Sequence, residues 1–208
     1  DVAAAADEPA IAEAIIAESS RALECLQPGN LPVRAAATWS LGYAYQLQGD
    51  RAAAYRAYTE ALAISRTIGH AMIAIMATLG LGNIQEAENE LHAAAGSYRN
   101  VLELAGEPPL PIACEAHLGL ARICYEWNDL EAAERHGLQS VRLAERFEHT
   151  DRAVAGEVAL ARLKLAQGDA SGAAATIAKA EQAARRRNFM HQLPSLADVR
   201  VLALLRQG

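Results

Sequence analysis

The chain has 208 residues, of which 52% are hydrophobic and 21% charged, and its formal net charge is −6. This balance is typical of a folded globular protein, and the acidic charge argues against a nucleic-acid-binding domain, which normally presents a basic face. Alanine dominates and aromatic residues make up only 5%, a mixture that favours helices because alanine loses no side-chain entropy in one.

The first predicted helix lies in "AEAIIAESSRALECL", residues 12–26, after a start at residues 1–8 that we expect to be flexible. Pro28 and Gly29 end this helix, which we interpret as the second helix of an incomplete first hairpin. The chain opens at Asp1 without a methionine. We therefore expect these residues to be a fragment of a longer protein.

Four predicted corners between helices follow at intervals of 39 or 40 residues. Each pairs Gly or Asn with Asp or Glu, as in "LQGD", "AENE", "EWND" and "AQGD", with the first residue at positions 49, 89, 128 and 168. Gly or Asn suits the left-handed residue that ends a helix, and an acidic residue suits the start of the next one. The spacing indicates one unit that is copied four times.

The residues around the corners repeat as well. A leucine followed by glycine or alanine stands eight residues before each corner, and an alanine stands five residues after it. These positions are Leu41-Gly42, Leu81-Gly82, Leu120-Ala121 and Leu160-Ala161, then Ala54, Ala94, Ala133 and Ala173. Small residues let two helices approach closely, so the pattern predicts a helical hairpin with its crossing at these positions.

The predicted fold is all-α: about ten helices in one right-handed superhelical solenoid of four to five hairpins, forming a single domain over residues 1–208. The repeats cover about 32–70, 71–110, 111–150 and 151–190, and residues 194–207 form a terminal capping helix with Pro194 just inside its start. The breaks fall at "QPGNLP", "TIGH", "AGEPPLP", "FEHTD" and "RRNFMHQLP".

The unit resembles the tetratricopeptide (TPR) repeat, whose signature places Leu-Gly before a tyrosine and then Ala-x3-Phe. Here Leu41-Gly42 is followed by Tyr45, then by Ala54 and Tyr58. The second copy keeps Leu81-Gly82, Ala94 and Tyr98, whereas Gly137 and Ile177 stand at the aromatic position of the third and fourth. Thr38 occupies the signature tryptophan position, and longer helices explain the longer period.

Residues that carry chemistry form no recognisable pattern. No nucleotide-binding, hydrolase or metalloprotease motif occurs, and although Cys114 and His117 lie one turn apart, no second pair completes a zinc site. We expect a non-enzyme without cofactor or metal, and Arg185-Arg186-Arg187 as a solvated helix end rather than a phosphate contact. Cysteines at unrelated spacings and the lack of a membrane-length apolar run indicate reduced thiols in a cytoplasmic protein that does not contact a membrane.

A candidate ligand-binding face follows from the first helix of each hairpin, which lines the concave side of such a solenoid. Trp39, Tyr43 and Gln46 form a stripe separate from the core stripe. The two rings either fill a groove against a neighbouring hairpin or form a stacking platform for a ligand. The same stripe in later repeats supplies Asn83, Glu86, Glu115, Arg122, Tyr125, Glu126 and Arg162. Arg122 and Glu126 could instead pair with each other, and Trp127 is expected to pack at its corner.

Two segments resemble one family more closely: "RAAATWSLGYAYQLQGDRAAAYRAYTEALAIS" and "YEWNDLEAAERHGLQSVRLAE". They are similar to the repeat domain of large LuxR-family bacterial regulators of the MalT type. That resemblance implies an ATP-hydrolysing module upstream, a DNA-binding helix-turn-helix downstream, and a signal-receiving function for this chain. In the maltose regulator itself the repeat domain binds an oligosaccharide. The resemblance thus implies a small-molecule effector, a saccharide among the candidates, and no contact of this part with nucleic acid.

A protein-interaction scaffold is the alternative, with a protein or peptide in the concave groove. A clamp for an acidic peptide would need several cations on the predicted face. That face offers Arg122 and Arg162 but also Glu86, Glu115 and Glu126, which argues against an acidic peptide as the partner.

Overall fold

The computed structural model describes residues 2–27, 29–187 and 193–206, with side chains from residue 9 onward. In this part of the chain there are ten α-helices and no strand, which confirms the all-α fold class. They are α1 (Val2–Cys25), α2 (Leu31–Gln48), α3 (Arg51–Ile68), α4 (Ala71–Ala87), α5 (Leu91–Ala105), α6 (Ala113–Glu126), α7 (Leu130–Arg146), α8 (Thr150–Ala166), α9 (Ala170–Arg186) and α10 (Leu193–Leu205).

The helices form two compact units, Asp1–Gly106 with α1 to α5 and Glu107–Gly208 with α6 to α10. In each unit, successive helices pack against one another in chain order, and α2 also contacts α4, as α6 contacts α8 and α8 contacts α10. This is the packing of stacked helical hairpins. The organisation as a single domain over residues 1–208 remains a prediction.

The four predicted corners are confirmed. Gly49, Asn89, Asn128 and Gly168 all have left-handed backbone, with φ of 80°, 62°, 58° and 85°. At three of them the next residue caps the following helix. Asp50, Asp129 and Asp169 accept hydrogen bonds from the backbone N–H three residues on, at 2.9, 3.0 and 2.7 Å. Glu90 makes no such side-chain bond, because its longer side chain suits this cap less well.

The ends of the chain agree with the sequence analysis in part. Helix α1 begins at Val2, so the backbone of residues 2–8, the expected flexible start, is helical. Pro194 lies in the first turn of α10, as predicted. Pro28 and residues 188–192, the middle of the predicted break "RRNFMHQLP", lie outside the described residues.

Small residues stand at the helix crossings, as the repeat pattern predicts. Ala54, Ala94, Ala133 and Ala173 are all buried. In the first unit the helices lie so close together that tyrosine rings occupy the space in which a side chain at a facing glycine would stand. A Cβ atom on Gly42 would lie 2.7 Å from Tyr58 Cδ1, and one on Gly80 would lie 2.4 Å from Tyr58 Cε2. The Tyr58 ring is therefore held between the glycines of α2 and α4.

The second unit closes its crossings with aliphatic side chains. At the position of Tyr58, α7 has Gly137, against which Leu160 of α8 packs so closely that a Cβ would lie 2.7 Å from Leu160 Cδ2. In α9 the same position holds Ile177, which is fully buried among residues of α8 and α10. None of the helices in the described part of the chain is both long and apolar enough to cross a membrane.

Candidate functional site

The aromatic pair predicted on α2 forms in the structure. The rings of Trp39 and Tyr43 are stacked, with centroids 6.0 Å apart and an angle of 13° between their planes. Tyr43 keeps 42% of its surface exposed, whereas Trp39 is half-buried and packs against the core formed by α2, α3 and α4. The pair thus combines packing on one side with an accessible ring on the other.

The polar residues predicted beside this pair are engaged within their own hairpins. The Tyr58 hydroxyl donates to Gln46 Oε1 at 2.9 Å. The Tyr98 hydroxyl donates to Glu86 Oε2 at 2.6 Å and lies 2.9 Å from the Asn83 side-chain amide. Burial raises the pKa of Tyr58, and Tyr43 adds to the increase, so its hydroxyl stays protonated and donates. Part of the hydrogen-bonding capacity of Gln46, Asn83 and Glu86 therefore holds the buried tyrosines.

The remaining candidates lie on α6 and α8 of the second unit. Glu115 forms an ion pair with Arg152 of α8 at 3.4 Å. Tyr125, Glu126 and Arg162 are exposed, and Arg122 is half-buried. Trp127, expected to pack at the third corner, is 36% exposed. The predicted ligand-binding face thus divides into one set in each compact unit, and its function stays a prediction.

A histidine pair in the second unit was not anticipated from the sequence. Nδ1 of His117 on α6 and Nδ1 of His136 on α7 are 2.9 Å apart, a hydrogen bond in which one ring donates and the other accepts. Burial lowers the pKa of His117 to about 4, with His136 acting in the same direction. No group of three or more His, Cys, Asp or Glu side chains is arranged to hold a metal ion among the described residues.

This pair predicts a loss of stability in mild acid. The folded pKa of His117 lies below its ordinary value of 6.5, so the unfolded chain binds the proton first and stability falls as the pH drops below that value. We expect His117 to contribute a loss of up to about 2 kcal/mol between pH 7 and pH 5. Urea denaturation at both pH values measures it. His117→Gln should make the decrease in unfolding free energy between pH 7 and pH 5 smaller, whereas His149→Gln, at an exposed histidine, should leave it unchanged. The same decrease in both variants would contradict the contribution of His117.

A groove in the first unit is lined by residues outside the predicted ligand-binding face. It lies where α3 meets the end of α4, has a volume of about 500 Å³, and contains the exposed Tyr55. Arg51 on its wall pairs with Glu88 at 3.0 Å. The other lining residues are Ala52, Arg56, Ile84, Gln85 and Glu90. The sequence could have indicated this groove, because Arg51 and Tyr55 stand four residues apart and so lie on one face of α3.

The comparisons with known proteins identify the fold and the family. The crystal structure of the apo form of RapI superposes with a TM-score of 0.71 at 15% identity, over 85% of this chain and 64% of RapI. That of BtubC (BKLC) from P. vanneervenii superposes with a TM-score of 0.70 at 18% identity, over 98% of this chain and 86% of BtubC. At these identities the likeness concerns the fold alone, and the chain spans less than two thirds of RapI. No curated protein matches the sequence.

The sequence also matches the family described as the MalT-like TPR region, from residue 3 to residue 208. This match covers nearly the whole chain and agrees with the hairpins, corners and crossings described above. The chain therefore belongs to the MalT-like tetratricopeptide repeat family.

Proposed function

We propose that this chain is the signal-receiving domain of a cytoplasmic, LuxR-family transcriptional regulator and binds a small effector at the aromatic pair of α2. A regulatory or protein-interaction function is what membership of a TPR family supports, and helical repeat domains of this kind are typically non-catalytic. The stacked Trp39–Tyr43 pair carries the more specific proposal. Its rings are nearly parallel, Trp39 packs against the core, and the Tyr43 ring is accessible beside it.

The chemistry of the pair suits a ligand with an apolar face and hydroxyl groups, such as a saccharide. A flat aromatic surface binds the apolar face of a ring, while a few polar groups fix its orientation. Gln46 stands three residues after Tyr43 on the same stripe, and its Oε1 accepts a hydrogen bond from the Tyr58 hydroxyl. Its amide N–H groups have no partner among the described residues and can donate to a ligand hydroxyl.

A fluorescence titration tests this proposal. In a Trp127→Phe background, Trp39 is the one remaining tryptophan of the sequence, so a change in emission on adding neutral oligosaccharides reports binding at α2. Tyr43→Leu should weaken such binding by about tenfold or more, the factor that corresponds to about 1.4 kcal/mol of lost contact. Unfolding of each variant by urea should show little change, because Tyr43 is 42% exposed.

Tyr55→Leu is the matched control, since Tyr55 is exposed to a similar extent, 44%, on α3. The proposal fails if no oligosaccharide alters Trp39 emission, or if both tyrosine variants bind equally well. If instead a peptide binds and only Tyr55→Leu weakens it, the interaction-scaffold function and the α3–α4 groove would replace it. The size of that groove and its exposed tyrosine and arginines favour this second candidate.

A further inference from the structure

Helix α10 is held on the second unit by one apolar face. Leu196, Val199 and Ala203 are fully buried in a core that includes residues of α8 and α9. Arg200 pairs with Glu181 of α9 at 3.1 Å, and Arg206 donates to the backbone carbonyl oxygen of Leu165 in α8. These contacts fix the rotation of α10 about its axis.

A second apolar face of α10 is exposed. Val201 is 53% exposed and Leu204 57%, and the two lie three residues apart on one side of the helix. Neighbouring exposed apolar side chains on one side of a helix are typical of a surface that another helix or protein covers. The exposed face lies roughly a third of a turn around the helix from the buried one, because the helix advances 100° per residue.

The internal repeat shows what such a face packs against. Helix α8 begins at Thr150 and α10 at Leu193, so each residue of α10 corresponds to the residue of α8 that stands 43 positions earlier. The residues of α8 that correspond to the two faces of α10 also lie on two separate sides of their helix. Gly156 and Leu160 of α8 pack against α7, and their counterparts Val199 and Ala203 are buried in the core that α10 shares with α8 and α9. Val158 and Ala161 of α8, the counterparts of Val201 and Leu204, are only 7% and 0% exposed, and they lie in a core that includes the buried stripe of α9.

The buried face of α9 shows which residues such a contact uses. The side of α9 that packs against the core is a stripe of small and aliphatic residues, fully or almost fully buried. Its members are Ala173, Ile177, Ala180 and Ala184. A stripe of this kind permits close approach of the helix axes and buries apolar surface without placing a charge in the contact.

We infer that the Val201–Leu204 face of α10 is a docking surface for an amphipathic, alanine-rich α-helix of the α9 type, packed against α10 as α9 packs against α8. This surface is separate from the aromatic pair of α2, and it goes beyond the proposed effector binding. The partner supplies a small apolar stripe rather than a bulky aromatic one. Its outer face carries polar residues, as α9 exposes Ser171, Lys179 and Gln182.

A peptide with the sequence of residues 169–187, which comprises α9 and its cap Asp169, is the probe. Fluorescence anisotropy of the labelled peptide is measured against the full chain. We expect saturable binding that Val201→Gln/Leu204→Gln weakens by about tenfold or more, since burying even one leucine side chain contributes enough free energy for that factor. Both residues are more than half exposed, so this variant should fold normally, which circular dichroism checks.

Leu202→Gln is the matched control on the same helix. Leu202 is exposed to a similar degree, 50%, but points away from the Val201–Leu204 face, so this variant should bind the peptide as the parent chain does. A second peptide with Ile177→Lys, which interrupts the stripe, should not bind.

Three results would overturn the inference. The first is no binding of the 169–187 peptide. The second is equal affinity for the Leu202→Gln and Val201→Gln/Leu204→Gln chains, which would place the peptide elsewhere. The third, from size-exclusion chromatography with light scattering, is a dimer that only Val201→Gln/Leu204→Gln dissociates. That dimer would assign the face to a second copy of the chain.

Discussion

Replacing Tyr98 with alanine is expected to lower the free energy of unfolding by about 3–5 kcal/mol, the range for loss of a buried aromatic side chain. Tyr98 is fully buried. Its ring lies so close to Gly82 of α4 that a Cβ there would be 2.8 Å from Cε1, so the cavity cannot close without moving the hairpin. Urea denaturation measures the effect, and Tyr55→Ala, at an exposed tyrosine of the same unit, should cost much less.

Tyr98→Phe separates the ring from its hydroxyl group. This variant keeps the packing but removes the donor to the Glu86 carboxylate, and hydrogen bonds to charged groups contribute roughly 1.5–3 kcal/mol. A loss of that size would show that Glu86 supports the hairpin. Stability equal to that of the parent chain would contradict this function and leave the carboxylate as a candidate ligand contact.

Gly80→Ala is expected to destabilise the first unit by about 2 kcal/mol, the balance of an overpacking cost near 3 kcal/mol and a gain of about 1 kcal/mol in helix propensity. The added Cβ would lie 2.4 Å from the Tyr58 ring. The ring cannot retreat, because Gly42 lies against its other edge with a corresponding distance of 2.7 Å. Chemical denaturation gives the difference in unfolding free energy.

Gly96→Ala provides the matched control. Gly96 is in the interior of α5, is exposed, and has no atom within 4 Å of the added Cβ. The same substitution should therefore stabilise the chain by up to about 1 kcal/mol. In a Tyr58→Ala background Gly80→Ala should lose its cost, and a cost that persists there would mean that the clash is not with Tyr58.

The position and type of the helices could be predicted from the sequence. The corners at residues 49, 89, 128 and 168 each depend on two adjacent residues, one that accepts left-handed backbone and one that suits a helix start. The crossing alanines follow from a repeated spacing. These signals involve only neighbouring residues, so a single sequence is enough to recognise them. Their repetition at four corners distinguishes them from chance.

The candidate site was predicted less completely. The stripe of Trp39 and Tyr43 depends only on helical periodicity and forms in the structure. The hydrogen bonds of Gln46 and Glu86 were missed, although a signal existed: in the first two hairpins a polar residue three positions before the corner accompanies a tyrosine nine positions after it. Recognising that pair requires knowing how the two helices of a hairpin are rotated toward each other.

The sequence by itself determined the four corners between helices and which small residues allow the helices to cross, because capping and periodicity act within a few residues. It did not reveal that α1 begins at Val2. Only the tertiary structure decided what lies opposite each side chain. It placed His117 against His136 and the Tyr58 ring between Gly42 and Gly80. It also left Val201 and Leu204 exposed where their counterparts in α8 are buried. Such contacts depend on the rotation and spacing of helices that lie far apart in the sequence, and these are set by the packing of whole faces.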